Sequence, residues 1–413
     1  MTSSSRVLTS LLSSRRLARL VLGAWMGALV AQPALAAPPA DAKPAPSATA
    51  AAAADETAAP EAEAQAAQAP ADDPTLNFFK KVEVSGLVDT YYTYNFNEPA
   101  TGTFTKYRNF DVKHNQFSLA LLEVALAKAT SAEDRVGFRF DLNYGQVAQI
   151  FNSDPLDNNN LLNVQQAYLS YLAPVGSGLT FEVGKFVTPI GTEPTEANLN
   201  NNYSRTFLYA YGPYYHVGAR VAYTFSPKFT LGGMVVNGWN ATGDNNAGKS
   251  FGVSATVVPT SKLTIIQNVL VGPERADDTD NIRTYSDTNL AVTATDKVSA
   301  GLNYVWAKDG SGADEAKWQG LALYLKGQIT PVFALAPRFG WLDDKDGFAF
   351  AEVPQAVKEF TLTAEVKHSA GLIMRLEYRR DWSDQNVFEK NGVAVDNQNT
   401  FTVGFVMPFS SKK

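Results

Sequence analysis

The sequence predicts an all-β fold, a transmembrane antiparallel β-barrel of about sixteen strands with long extracellular loops and short periplasmic turns. Three observations carry that expectation. From Val82 onward, apolar and polar residues alternate with period two. The connections between these ribbons are alternately long and short. The tryptophans gather where ribbons meet the long connections.

The two ends of the chain narrow the compartment. With 45% hydrophobic and 18% charged residues the chain could pass for a soluble one. Arg6, Arg15, Arg16 and Arg19, an apolar run from Leu20 to Ala31 and the small-residue site Ala34-Leu35-Ala36 instead read as a secretory signal peptide over residues 1–36. Its apolar run is too short to span a bilayer. Those residues hold four arginines and no acid, so the formal charge of −6 becomes −10 once they are removed. The chain has no cysteine, which excludes disulfides, thiolate metal sites, thiol nucleophiles and a lipid-modified cysteine behind the signal. No later stretch is long and apolar enough for a membrane helix. Residues 37–76 read as a disordered Ala/Pro-rich linker in the periplasm. Leu, Ile, Val and aromatic residues are absent from 37–74, so nothing offsets the entropy of ordering it.

Residues 77–413 are expected to form the barrel. In the first ribbon Val82, Val84, Gly86, Val88, Thr90, Tyr92 and Tyr94 share one face, while Glu83, Ser85, Asp89, Thr93 and Asn95 share the other with Leu87 and Tyr91. The spacing predicts strands over 82–96, 117–129, 136–145, 164–173, 179–186, 215–225, 229–239 and 250–258. Further strands are expected over 263–271, 287–294, 298–306, 318–328, 333–342, 357–367, 372–382 and 400–409. Short turns centre on Ser131–Asp134, Val175–Gly178, Ser226–Lys228, Pro259–Lys262, Thr295–Lys297, Thr330-Pro331 and His368–Gly371. One tight rim and one long-looped rim belong to outer-membrane barrels, with the tight side toward the periplasm. Trp239, Trp306, Trp341, Trp382 and Trp318 all fall at the long-looped rim and are expected to form an aromatic girdle, with Phe225, Phe229, Phe333 and Phe409 opposite.

An ordered series of motifs carries a family resemblance. Gly184-Lys-Phe-Val-Thr-Pro-Ile-Gly191, Tyr203-Ser-Arg205, Pro213 to His216-Val-Gly218, Asn237-Gly-Trp239, Asp344-Lys-Asp-Gly347 and Arg375-Leu-Glu-Tyr-Arg-Arg-Asp381 together resemble the OmpL-like β-barrel porin family, from about Val82 to Phe409. The resemblance implies an outer-membrane porin in a Gram-negative-type bacterium. The aromatic last strand, Phe401–Phe409, resembles the signal read by barrel-assembly machinery, although Ser410–Lys413 follow it.

Within that frame the long connection 187–214, rich in Pro, Gly and Asn, is the third external loop. General porins of sixteen strands fold the loop at this place inward, so it is expected to narrow a passive water-filled diffusion channel for small hydrophilic solutes or ions. Glu193, Glu196, Asn202, Tyr203 and Arg205 are its candidate constriction residues. Asp89, Arg139, Asp141, Glu182, Arg220, Arg338, Arg375, Glu377 and Arg379 are candidate residues of the pore wall, where they could order polar solutes or pair across strands.

Other chemistry finds little support. The histidines are His114, His216 and His368, and only His216 near Ser204 suggests a hydrolase. No catalytic, cofactor-binding or metal site is assigned, and no basic patch suits nucleic acid. The expected partners are outer-membrane lipid and lipopolysaccharide, small polar solutes or ions, barrel-assembly machinery and further copies in a homotrimer. A non-conducting barrel serving as adhesin or scaffold, and an outer-membrane hydrolase, are the alternative readings.

Overall fold

The computed structural model describes residues 74–100, 104–154, 157–351 and 353–412. The expected signal peptide, and the linker up to residue 73, lie outside the described residues. The last linker residues instead open a helix, α1 (Pro74–Lys81), which belongs to a unit separate from the strands and leaves Phe78 and Phe79 exposed.

Strands then follow as β1 (Glu83–Asn95), β2 (Gln116–Lys128), β3 (Val136–Tyr144), β4 (Val164–Ala173), β5 (Leu179–Val187) and β6 (Tyr215–Ser226). Next come β7 (Phe229–Val236), β8 (Ser250–Thr260), β9 (Leu263–Pro273), β10 (Ile282–Thr295), β11 (Val298–Asp309) and β12 (Ala316–Gln328). The series ends with β13 (Phe333–Asp344), β14 (Gln355–Lys367), β15 (Ile373–Ser383), a small hairpin β16 (Phe388–Lys390) and β17 (Val393–Val395), and β18 (Asn397–Ser410). All but the hairpin join one closed antiparallel barrel of sixteen strands. Pairing from Ser85↔Ser410 to Asn95↔Thr400 closes it, which leaves no open sheet edge in the bilayer.

The expected strands all form, and the differences are local. β10 begins at Ile282 rather than residue 287, because its outer face continues through Thr284 and Ser286, polar positions that hide the alternation. The hairpin β16–β17 lies inside a stretch read as loop. Outward positions are apolar as expected: Val124, Leu169, Val183, Leu323, Leu362 and Phe405 are exposed to the surroundings. Trp306, Trp341 and Trp382 join them at the long-looped rim.

Two of the tryptophans correct the girdle. Trp239 and Trp318 turn inward, and the Arg283 guanidinium sits 5.1 Å from the first ring and 6.0 Å from the second. Parity explains Trp318, since it shares a face with Ala322 and Tyr324, both buried. Trp239 lies beyond the end of β7, where strand parity no longer applies, and its ring meets the inward Tyr285 edge-on at 4.9 Å.

The inner face needs a larger correction. A water-filled channel calls for a polar inner face, yet Met234, Leu270, Tyr285, Val305, Tyr324, Leu342 and Val357 are buried on it. They pack with Ile190, Phe207 and Leu208 of the loop 187–214, with Tyr107, and with Phe350 and Phe388 from later loops. A second cluster joins Leu87, Tyr91, Leu121, Ile373 and Val406 of the wall to Phe110, Phe151, Ala197 and Tyr203. Long loops supply the apolar partners, and strand periodicity carries no trace of them.

Candidate channel interior

The loop 187–214 crosses the barrel interior. It leaves β5 at Val187 and donates from Gly191 N to Asp287 Oδ2 on β10 at 3.0 Å, while Thr192 bonds Asn289 on the same strand. Glu193 accepts from Arg338 Nη1 of β13 at 3.0 Å and from its own loop's Thr206 N at 2.8 Å. The chain then swings across to β4, where Gln165 Nε2 donates to Glu196 Oε1 at 3.2 Å. Burial and the nearby Asp141 push the Glu196 carboxyl above the usual carboxylate range, against its own backbone N–H and the arginines Arg139 and Arg205.

Its second half is fixed to the other side of the barrel. Asn202 Nδ2 donates to Ala336 O at 2.9 Å and to Thr363 Oγ1 at 2.7 Å. Tyr203 N and Ser204 N both donate to the Glu377 carboxylate of β15, at 2.6 and 2.9 Å, and Tyr203 Oη donates to Asp89 Oδ1 of β1 at 2.9 Å. Arg375 Nη1 reaches the carbonyls of Ala197 at 2.6 Å and Asn202 at 3.2 Å, and Arg379 Nη1 that of Arg205 at 2.5 Å. Arg205 itself turns back on the loop, donating to Pro194 O at 3.1 Å and Thr195 O at 2.7 Å, with its guanidinium 4.0 Å above the Phe110 ring. Gly404 lies directly beneath the Tyr203 ring, where a Cβ would collide with it.

The structure therefore divides the wall residues into two groups. Arg338, Arg375 and Arg379 have side chains at most 1% exposed, and pair with Glu359, Glu365 and Asp381 at 2.9, 2.7 and 2.7 Å. With Glu377 and Asp89, both buried, they hold the loop rather than meet solvent. The second group lies across the barrel on β3, β5 and β6. Arg139 keeps 35% of its side chain exposed while pairing at 2.8 Å with the buried Asp141. Arg220 keeps 23% and pairs with Glu182, which keeps 14%. The Arg220 guanidinium also stands 4.4 Å from the Phe186 ring and 5.5 Å from that of Tyr168.

Several participants had no sequence signal. Arg108, from the first long loop, pairs with Asp381 at 2.9 Å and with Asp111. A lone arginine in a polar loop shows nothing of that. Gln165 and Thr363 alternate correctly for inward positions, but as neutral residues they gave no reason to be singled out. His216 and Ser204 do not meet as a pair. His216 is sealed between Thr188 Oγ1 at 3.0 Å and Gly238 O at 2.9 Å, whereas the Ser204 hydroxyl accepts from Arg338 Nη2 at 3.0 Å.

A closed barrel of sixteen strands crossed by an inward loop is the architecture of a diffusion porin. The family model described as "Putative beta-barrel porin-2, OmpL-like" matches residues 81–409, the whole of that architecture. The chain belongs to this family. Among solved structures, the outer membrane channel DcaP of Acinetobacter baumannii aligns at 13% identity with a TM-score of 0.53, over 79% of this porin and 97% of that chain. OmpF of Salmonella typhi aligns at 11% identity and TM-score 0.54, over 79% and 97%. An anion-selective porin from Comamonas acidovorans aligns at 14% identity and 0.52, over 79% and 99%. Identities this low compare folds alone. No curated protein sequence matches the chain. The protein is a passive channel of the outer membrane.

Proposed function

We propose that this porin passes small hydrophilic solutes or ions through a narrow route left between the loop 187–214 and the wall of β3–β6. One observation carries the reading: the loop bonds to β4, β10, β13, β15 and β1, so it spans the lumen instead of following one side. Arg139, Arg220 and Glu182, inner-face charges that keep solvent exposure, stand on that wall. Charges of both signs facing a narrow aqueous path order polar solutes by their field. Glu193, Asn202, Tyr203 and Arg205 then act by holding the loop in place, while Glu196 faces the route side near Asp141.

Passage through such a route needs no chemistry at the wall, and a non-catalytic role agrees with the sealed His216. Assembly as a homotrimer in contact with lipopolysaccharide is part of the same proposal; a trimer form is described for OmpT of Vibrio cholerae, which shares the fold at TM-score 0.54 and 10% identity. Single-channel recording in a planar bilayer tests the reading. Small, discrete steps are expected, well below those of an unobstructed barrel. Complete absence of steps would favour the scaffold or adhesin alternative.

A further inference from the structure

The outer face of β13–β15 carries an arrangement that conduction does not use. Trp341 lies directly opposite Lys358, and Lys358 directly opposite Trp382, so a lysine stands between two tryptophans across three strands. One row further from the rim, Phe339, Phe360 and Arg380 stand side by side. These residues share the outward parity of Leu362, Leu376 and Phe401, which are exposed on the lipid side.

Among the described residues, neither Lys358 nor Arg380 has an ion pair or a side-chain hydrogen bond, in contrast to the paired arginines of the inner wall. The acids nearby are engaged elsewhere. Asp343 accepts from Gln319 Nε2 at 3.4 Å, and Asp384 accepts from Ala356 N at 2.9 Å. An unpaired cation on the lipid side is disfavoured more the deeper it lies, and tryptophan marks the headgroup level. Arg380 sits one row inside the tryptophans, where headgroups give way to acyl chains. An anion that enters this level complements both cations, and a guanidinium fork matches phosphate oxygens two at a time. Indole faces suit a sugar ring, while Phe360, Leu362 and Tyr378 below offer apolar surface to chains.

We propose that this face binds a phosphorylated glycolipid of the outer leaflet, its phosphate between Lys358 and Arg380 and its saccharide against Trp341 and Trp382. The inference deepens the proposed contact with lipopolysaccharide and rests on that reading, while it is independent of conduction. To test it, purified full-length porin in detergent is titrated with diphosphoryl lipid A and with the same lipid freed of phosphate, and retained lipid is read by native mass spectrometry. Diphosphoryl lipid A should bind, the phosphate-free lipid at least about tenfold more weakly. Lys358→Gln with Arg380→Gln should lower retention of the phosphorylated lipid by a similar factor, and Arg380→Gln alone should lower it in part. Conductance recorded on the same samples should not change, which separates this proposal from the channel reading. Equal retention by the double variant, equal retention of the phosphate-free lipid, or no retention by the unmodified protein would overturn it. A double variant that fails to fold leaves the decision to Arg380→Gln and to the comparison of the two lipids.

Discussion

Arg338 of the barrel wall donates to Glu193 of the inward loop at 3.0 Å across 145 residues of sequence. The same guanidinium donates to Glu359 of β14 at 2.9 Å through Nε, and its side chain is fully buried. It is the clamp between loop and wall. Replacing Arg338 by Met should leave Glu193 buried without a cation, a defect that costs about 3–5 kcal/mol in comparable cases. The expected outcome is a lower temperature of unfolding, read from heat-modifiable gel mobility, together with larger and noisier single-channel currents. Unchanged currents would mean that the remaining anchors hold the loop without it.

Gly404 gives a steric version of the same test. Alanine there puts a methyl group into the Tyr203 ring, and overpacking of this kind costs roughly 1–3 kcal/mol. In a Tyr203→Ala background the cost should largely vanish, so a double-mutant cycle on thermal stability should show coupling between the two positions. Additive effects would place the ring elsewhere.

Ion preference should follow the exposed wall. Replacing both Arg139 and Arg220 by Gln removes the two solvent-facing cations beside Glu182, so the reversal potential in a salt gradient should move toward cations. The equivalent change at Arg375 and Arg379, which are buried under the loop, should act on stability instead. A shift of the reversal potential in the second pair alone would contradict the route along β3–β6.

His216 separates channel from enzyme. It is buried and held at both ring nitrogens, by Thr188 and by the Gly238 carbonyl. His216→Gln should preserve conductance with a modest loss of stability, of the order of 1 kcal/mol for one imperfectly replaced hydrogen bond. A hydrolase would instead display lipid or peptide hydrolysis in the unmodified protein that this substitution abolishes.

Much of the barrel was legible because its causes are local. Period-two alternation, turn residues and loop lengths are written along the chain, so strands such as β14 and β15 fall within a few residues of their expected bounds. The inward direction of Arg338, Arg375 and Glu377 was legible for the same reason, because parity alone assigns it. What they touch was not. Whether an inward arginine meets water or a carbonyl depends on loops more than a hundred residues away, as Arg375 and Ala197 illustrate. The apolar interior was missed on the same ground, since Phe207, Phe350 and Phe388 come from loops without periodicity. The inward side of Trp318 is legible from its parity with Ala322, although its place near the rim suggests the girdle.

The central claim is that the loop 187–214 limits passage by lying across the lumen. Its most direct test is single-channel conductance in a planar bilayer for the unmodified porin and for a variant with Thr192–Asn202 replaced by a short Gly-Ser link. Removing that stretch takes away the contacts to Asn289, Arg338, Gln165 and Thr363, so conductance should rise several-fold. Equal conductance in a variant shown to be folded would contradict the claim and return the loop to the rim.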